Sequence, residues 1–300
     1  MGTVIDRVDI ARARWRDRHS ALHLAVTAAT DCLRQAGCDA HELDLVVNAG
    51  IYRDRNLGEP ALAALIQDDI GANPEDPHAG GHGTFSFDIA NGACGVLTAL
   101  QIVDGFLRTR SIRRALIVAS DADPGHGMSE RFPFSASGAA VLCGWSDDDD
   151  GLSRVSWVNS PDDGGTFSAT VGFADARNVL RFHESPEIDE HLAAAAAQAV
   201  QECLDAQSVG LSDVDVIVAA PPRPAFRGAL SRRLAIPVDR ITVADDETMH
   251  TAALAAAFGG RAERLPTGTR VLFVAAGSGI TAGAALYRQP PGRPGESGRH

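Results

Sequence analysis

Apolar and polar positions alternate along the chain in two rhythms. Phe85 to Ile89 is a short apolar run, Ala90 to Gly95 is a string of small residues, and Val96 to Thr109 carries apolar residues at helical spacing. Arg114 to Ala119 is apolar again. This order predicts strand, tight turn, amphipathic helix, strand. A strand that turns sharply into a helix places the turn residue at the helix N-terminus, where backbone N–H groups and the helix dipole favour a thiolate or an oxyanion. Cys94 lies in that turn.

The rhythm repeats. Residues 21–50 and 190–221 each read as an Ala-rich helix, a polar loop, and an acidic residue leading a buried strand, Leu45 to Asn48 in one and Val216 to Ala219 in the other. The ends also match: Ala115 to Ser120 followed by SGAAVLCGW, and Val271 to Ala276 followed by ITAGAALYR. The chain therefore reads as a duplication, residues 1–150 and 151–288, with a Pro/Gly-rich polar tail over 289–300 expected to be disordered. Continuous Val/Ile/Leu strands alternating with helices predict a mostly parallel sheet covered on both faces.

Composition narrows the class. With 300 residues at 45% hydrophobic, the chain can bury an ample core, and its net charge of −12 disfavours nucleic acid as a partner. The five cysteines form no CxxC pair, so neither a disulfide framework nor a zinc site is expected, and a reducing cytoplasm is the default. No apolar run is long enough for a membrane helix and no signal peptide is seen. His78 and His82 stand four apart beside Glu75 and Asp76, but HAGGHG reads as loop, and no metal or cofactor is expected. The segment DPGHGMSERFPF (123–134) reads as a loop at the rim of a site, with His126 exposed.

FDIANGACGVLTAL, the DVDVIV strand, the SGAAVL strand and the terminal GSGITAGAALYR together resemble the thiolase-like condensing enzymes, and most nearly β-ketoacyl-ACP synthase III. The resemblance spans residues 20–288. It implies an α/β thiolase-like fold, two βα halves in five α/β/α/β/α layers, a dimer, and an acyl thioester on acyl carrier protein or coenzyme A as ligand. The family begins with a strand and a Trp/Arg segment that grips coenzyme A. Here MGTVIDRVDIARARWRDRH shows no counterpart to either.

In that family a cysteine takes the acyl group, and a His and an Asn stabilise the enolate formed by decarboxylation. Without gaps, the cysteine position falls on Ala93, and Cys94 follows it by one residue. An insertion at the Asn91-Gly92 turn pair is the alternative that would restore Cys94 as nucleophile. The histidine position falls on Ala220, in a stretch with no histidine between His191 and His250. The asparagine position falls on His250, a candidate N–H donor or general base. The resemblance implies that the Gly279 N–H completes an oxyanion hole. It also implies that Arg223, Arg227, Arg232 and Arg233 dock the acidic carrier protein. Two readings stay open: an auxiliary or non-catalytic subunit, homodimeric or paired with a catalytic synthase III-like chain, and an atypical acyltransferase using Cys94 with His250.

Overall fold

The computed structural model describes residues 1–15, 18–73, 83–160, 165–174, 177–277 and 279–291. The first half runs β1 (Gly2–Arg12), α1 (Ala21–Ala36), β2 (Leu45–Asn48), α2 (Leu62–Asp69), β3 (Phe85–Asp88), α3 (Gly95–Arg108), β4 (Ala115–Asp121) and β5 (Ser137–Ser146). The second runs β6 (Gly151–Leu152), β7 (Ser156–Asn159), β8 (Phe167–Ala174), β9 (Arg177–Glu184), α4 (Ile188–Gln207), β10 (Val216–Ala220), α5 (Pro224–Leu234), β11 (Ile241–Thr242), α6 (Ala253–Ala262), β12 (Arg270–Gly277) and β13 (Thr281–Arg288).

Two sheets carry the fold, with strand orders β1-β5-β4-β2-β3 and β11-β10-β12-β13-β6, and β7 also pairs with β13. Their pairing repeats: β2 lies parallel to β3 and β4 as β10 does to β11 and β12, while β4–β5 and β12–β13 are antiparallel. The sheets are thus mixed, which corrects the expectation of mostly parallel ones. No helix lies between β4 and β5 or between β12 and β13, so each second strand returns antiparallel.

The duplication extends to single hydrogen bonds. Asp44 leads β2, and its Oδ2 accepts from the Arg113 and Arg114 amides at the entry to β4; Asp215 leads β10, and its Oδ2 accepts from the Arg270 amide at the entry to β12.

Period-two alternation assigns the layers. In β4, Leu116 and Val118 pack with α1 and α2, whereas Ala115, Ile117 and Ala119 pack with α3. In β12, Val271, Phe273 and Ala275 face α3 and α6, whereas Leu272, Val274 and Ala276 face α4 and α5. The resulting order is α1/α2, first sheet, α3/α6, second sheet, α4/α5. This is the expected five-layered thiolase-like fold.

The N-terminal segment requires a correction. Gly2–Arg12 is a full strand, antiparallel to β5, with a register shift between Ile5 and Arg7. The irregularity, together with charges at Asp6, Arg7 and Asp9, conceals the alternation in the sequence. Beyond it Trp15 is exposed. The expected disordered tail lies mostly outside the described residues, although Gln289 is tied to Gly268 and Thr269 by backbone hydrogen bonds. His78, His82, Glu75 and Asp76 also lie outside them. Among the described residues no helix is long and apolar enough to cross a membrane, and no cluster of His, Cys, Asp or Glu suits a metal ion.

Candidate active site

The turn between β3 and α3 is a single 3-10 turn over Gly92–Cys94 that passes directly into the helix. Gly92 has φ +49°, the left-handed region that glycine tolerates. The turn directs its two central residues differently. Ala93 lines a cleft of about 140 Å³ together with Phe134, Phe167, Pro221, His250 and Gly277. Cys94 is fully buried in the core between the sheets. Its Sγ lies 3.6 Å from the Thr281 carbonyl oxygen and would sit 3.4 Å from a Cβ built at Gly277. Burial pushes its thiol up to about 12.

β10 ends at the fully buried Ala220, and the loop after it begins with Pro221 in the cleft wall. No side chain at Ala220 can donate a hydrogen bond. Of the glycine-rich loop, Gly277 lines the cleft; Gly279 has φ +75° with open space where a Cβ would be.

His250 occupies the turn before α6, and a residue of the other half fixes it. Its Nδ1 is 3.2 Å from Oδ2 of Asp121, at the end of β4. Asp121 is buried; the same oxygen accepts from the Thr251 amide and hydroxyl at 2.9 and 2.6 Å, and Oδ1 accepts from the Ile51 and Tyr52 amides. Burial alone would raise the Asp121 carboxyl, but the neighbouring His250 and this set of donors hold it below the ordinary carboxylate value. Phe134 stacks on the imidazole at 4.2 Å and 16° between planes, and Tyr52 lies at 5.5 Å. Phe132 and Phe182 complete the aromatic cluster.

The sequence reading recognised His250 but neither its partner nor its aromatic bed. Asp121 is 129 residues away, just past the apolar run that the sequence shows ending at Ser120. FPF in the rim loop was the one local signal for Phe132 and Phe134, whereas Phe182 arrives on β9. His126 is exposed, as that reading expected.

The four arginines lie at the start of α5 and along it, and each has an intramolecular partner. Arg223 pairs with Glu184 and lies 2.8 Å from Asp189, Arg227 donates to the Ile241 carbonyl, and Arg232 and Arg233 both pair with Glu190. They offer less free positive charge than their spacing in the sequence suggests.

No family model matches the chain. Among curated proteins it is similar to the β-ketoacyl-[acyl-carrier-protein] synthase III of Novosphingobium aromaticivorans, 27% identical over 322 aligned positions that cover 96% of this chain and 93% of the relative. The enzyme of the same name from Erythrobacter litoralis is 26% identical, covering 88% of this chain and 83% of the relative. Among solved structures, the 3-oxoacyl-[acyl-carrier-protein] synthase III of Aquifex aeolicus superposes with TM-score 0.78 at 19% identity, covering 96% of this chain and all of that one. The priming β-ketosynthase of a polyketide biosynthetic pathway gives 0.78 at 17% identity, covering 96% of each chain. The architecture is that of the thiolase-like superfamily. Within it, the chain is a ketosynthase III-like protein.

Proposed function

We propose that this chain is a synthase III-like acyl-thioester-binding protein with a degenerate active site, an auxiliary or non-catalytic partner subunit in fatty-acid, polyketide-type or specialised metabolism. The observation that carries this reading is that Ala93, and not Cys94, faces the cleft. A methyl cannot take an acyl group, and a thiol with a pKa near 12 is almost wholly protonated at neutral pH. The loss of a histidine at Ala220 adds to it, because an enolate would lack one of its donors there. Removing one such donor costs a condensing site about a hundredfold or more in rate.

Assembly through β3 belongs to the same proposal. That strand is the edge of its sheet, and it exposes Phe85 at 59% beside the half-buried Phe87. An uncovered apolar edge favours pairing with a second chain, either a copy or a catalytic relative. The other reading, Cys94 as nucleophile with His250 as base, requires the sulfur to leave a fully buried seat and turn into the cleft.

Intact-protein mass spectrometry after incubation with acyl-CoA and acyl-carrier-protein donors separates the two. The expected result is no covalent adduct, together with stimulation of a co-encoded catalytic relative. An acyl group retained on Cys94 would overturn the proposal and favour the atypical acyltransferase.

A further inference from the structure

His250 stands at the junction of two cavities. It lines the cleft beside Ala93 and also a second cavity of about 600 Å³, bounded by Tyr52, Arg53, Asn56, Asn91 and Ser168; Phe167 is shared by both. Its two ring nitrogens have different surroundings. Nδ1 meets the Asp121 carboxylate, whereas Nε2 lies toward Gly92, 3.4 Å from where a Cβ would stand, on the wall of the larger cavity. An ionised Asp121 can only accept, so Nδ1 carries a proton, and the tautomer that the dyad uses as a base turns its Nε2 lone pair toward the cavities. An asparagine amide nitrogen here would donate. The Asp121-held imidazole accepts, which reverses the polarity of the position.

We propose that Asp121 and His250 form a general-base dyad that moves an acyl group directly from a thioester to a hydroxyl-bearing acceptor, with no acyl-enzyme. This rests on the reading of the cleft as an acyl-thioester site that lacks a working nucleophile, and it takes the auxiliary form of that reading, not the non-catalytic one. The acceptor oxygen attacks the thioester carbonyl while His250 Nε2 takes its proton. The C–O bond forms, the C–S bond breaks, and the imidazolium returns the proton to the leaving thiolate. The products are an ester and a free thiol, and nothing is oxidised or reduced. With water as acceptor the products are the carboxylic acid and the thiol.

Three features support the assignment. Asp121 fixes the tautomer and in-plane orientation of the ring, as a carboxylate does for the base of a hydrolytic triad. Phe134 stacks on the ring at 4.2 Å, and its negative face favours the imidazolium that forms during transfer. The larger cavity mixes apolar walls with polar groups suited to an alcohol. Among these, Arg53 pairs with Asp88 through one nitrogen, and its other, buried Nη1 has no hydrogen-bond partner among the described residues.

The test measures free-thiol release from acetyl-, octanoyl- and dodecanoyl-CoA by the full chain, with water or glycerol as acceptor, and follows protein acylation by mass. The expected result is turnover that falls at least a hundredfold in His250→Asn, in kcat with KM little changed, because the amide fills the place but is no base. Asp121→Asn should lower kcat at least tenfold, again with KM little changed. His250→Asn carries the test if Asp121→Asn fails to fold. Equal release by wild type and His250→Asn would overturn the dyad, and so would no release by wild type with every donor. An acyl adduct on Cys94 would instead overturn the reading beneath it, that the cleft lacks a working nucleophile.

Discussion

The turn before α3 carries Ala93 and Cys94; the turn before α6, its counterpart in the second half, carries His250 and Thr251. Each is fixed by the opposite half. Cys94 packs against Gly277 and the Thr281 carbonyl of the second half, and the contact encloses its sulfur. His250 and Thr251 are held by Asp121 of the first half, and that contact leaves one ring nitrogen turned to a cavity. The same topological device therefore encloses one side chain and turns the other to a cavity. What differs is the neighbour, glycine and carbonyl in one case and a buried carboxylate in the other.

The largest expected effect comes from removing that carboxylate. Asp121→Ala would leave the Ile51, Tyr52 and Thr251 amides without their acceptor and His250 without its partner. Breaking a buried hydrogen-bonded charge in this way costs about 3–5 kcal/mol, to be read from chemical denaturation. The pH dependence has a definite sign. The folded carboxyl titrates below its ordinary value, so its contribution is complete above about pH 4 and is lost as pH falls through the lower folded value. Asp121→Asn should flatten that acid limb. Unchanged stability in Asp121→Ala would mean that His250 and Thr251 are positioned by something other than Asp121.

The two residues of the first turn can be compared directly through thiol chemistry. At pH 8 a thiol with pKa near 12 is about one part in ten thousand thiolate, whereas an ordinary cysteine is about a quarter ionised. Iodoacetamide should therefore modify the thiol introduced by Ala93→Cys roughly a thousandfold faster than native Cys94. Peptide mapping after timed alkylation gives both rates in one sample. Similar rates would mean that Cys94 reaches the cleft.

Much of this site was legible in the sequence, and the unread part has a common cause. The strand–turn–helix rhythm put Ala93 in register and flagged Cys94, because both lie within one local motif. Ala220 and His250 were singled out by the resemblance to synthase III, aligned without gaps. What local pattern could not supply was contact across the halves. Asp121 follows the apolar run of β4, and nothing near it in sequence marks a histidine partner. β1 was missed for a different reason: the shift between Ile5 and Arg7 breaks the period-two pattern that identifies a strand. The partners of the arginine cluster were equally out of reach of local pattern, because Glu184 and Glu190 face it from β9 and α4.

A smaller effect is expected from truncating the silent cysteine. Cys94→Ala removes one fully buried sulfur from the core between the sheets and should cost about 1 kcal/mol through lost packing. Thiol release from acyl-CoA should be unchanged. If the variant instead lost activity while keeping its stability, the sulfur would have a chemical role and the contrast between the two turns would fail.

The smallest effect is expected at the arginines of α5, and it tests whether the second half carries a docking surface for an acidic carrier protein. Arg232 and Arg233 share one carboxylate, Glu190, so the trio keeps a single net positive charge. Exposed pairs of this kind contribute at most about 1 kcal/mol. Reversing both to Glu removes the pairings and places three carboxylates together, so α5 should lose little stability while its surface becomes repulsive to an acidic carrier protein. Carrier binding, measured by titration at low salt, should weaken several-fold, and the difference should shrink as salt is raised through the screening range. Equal affinity of the two proteins at low salt would remove these arginines from the docking surface. It would leave the contrast between the two turns untouched, because neither Ala93 nor His250 depends on α5 for its position.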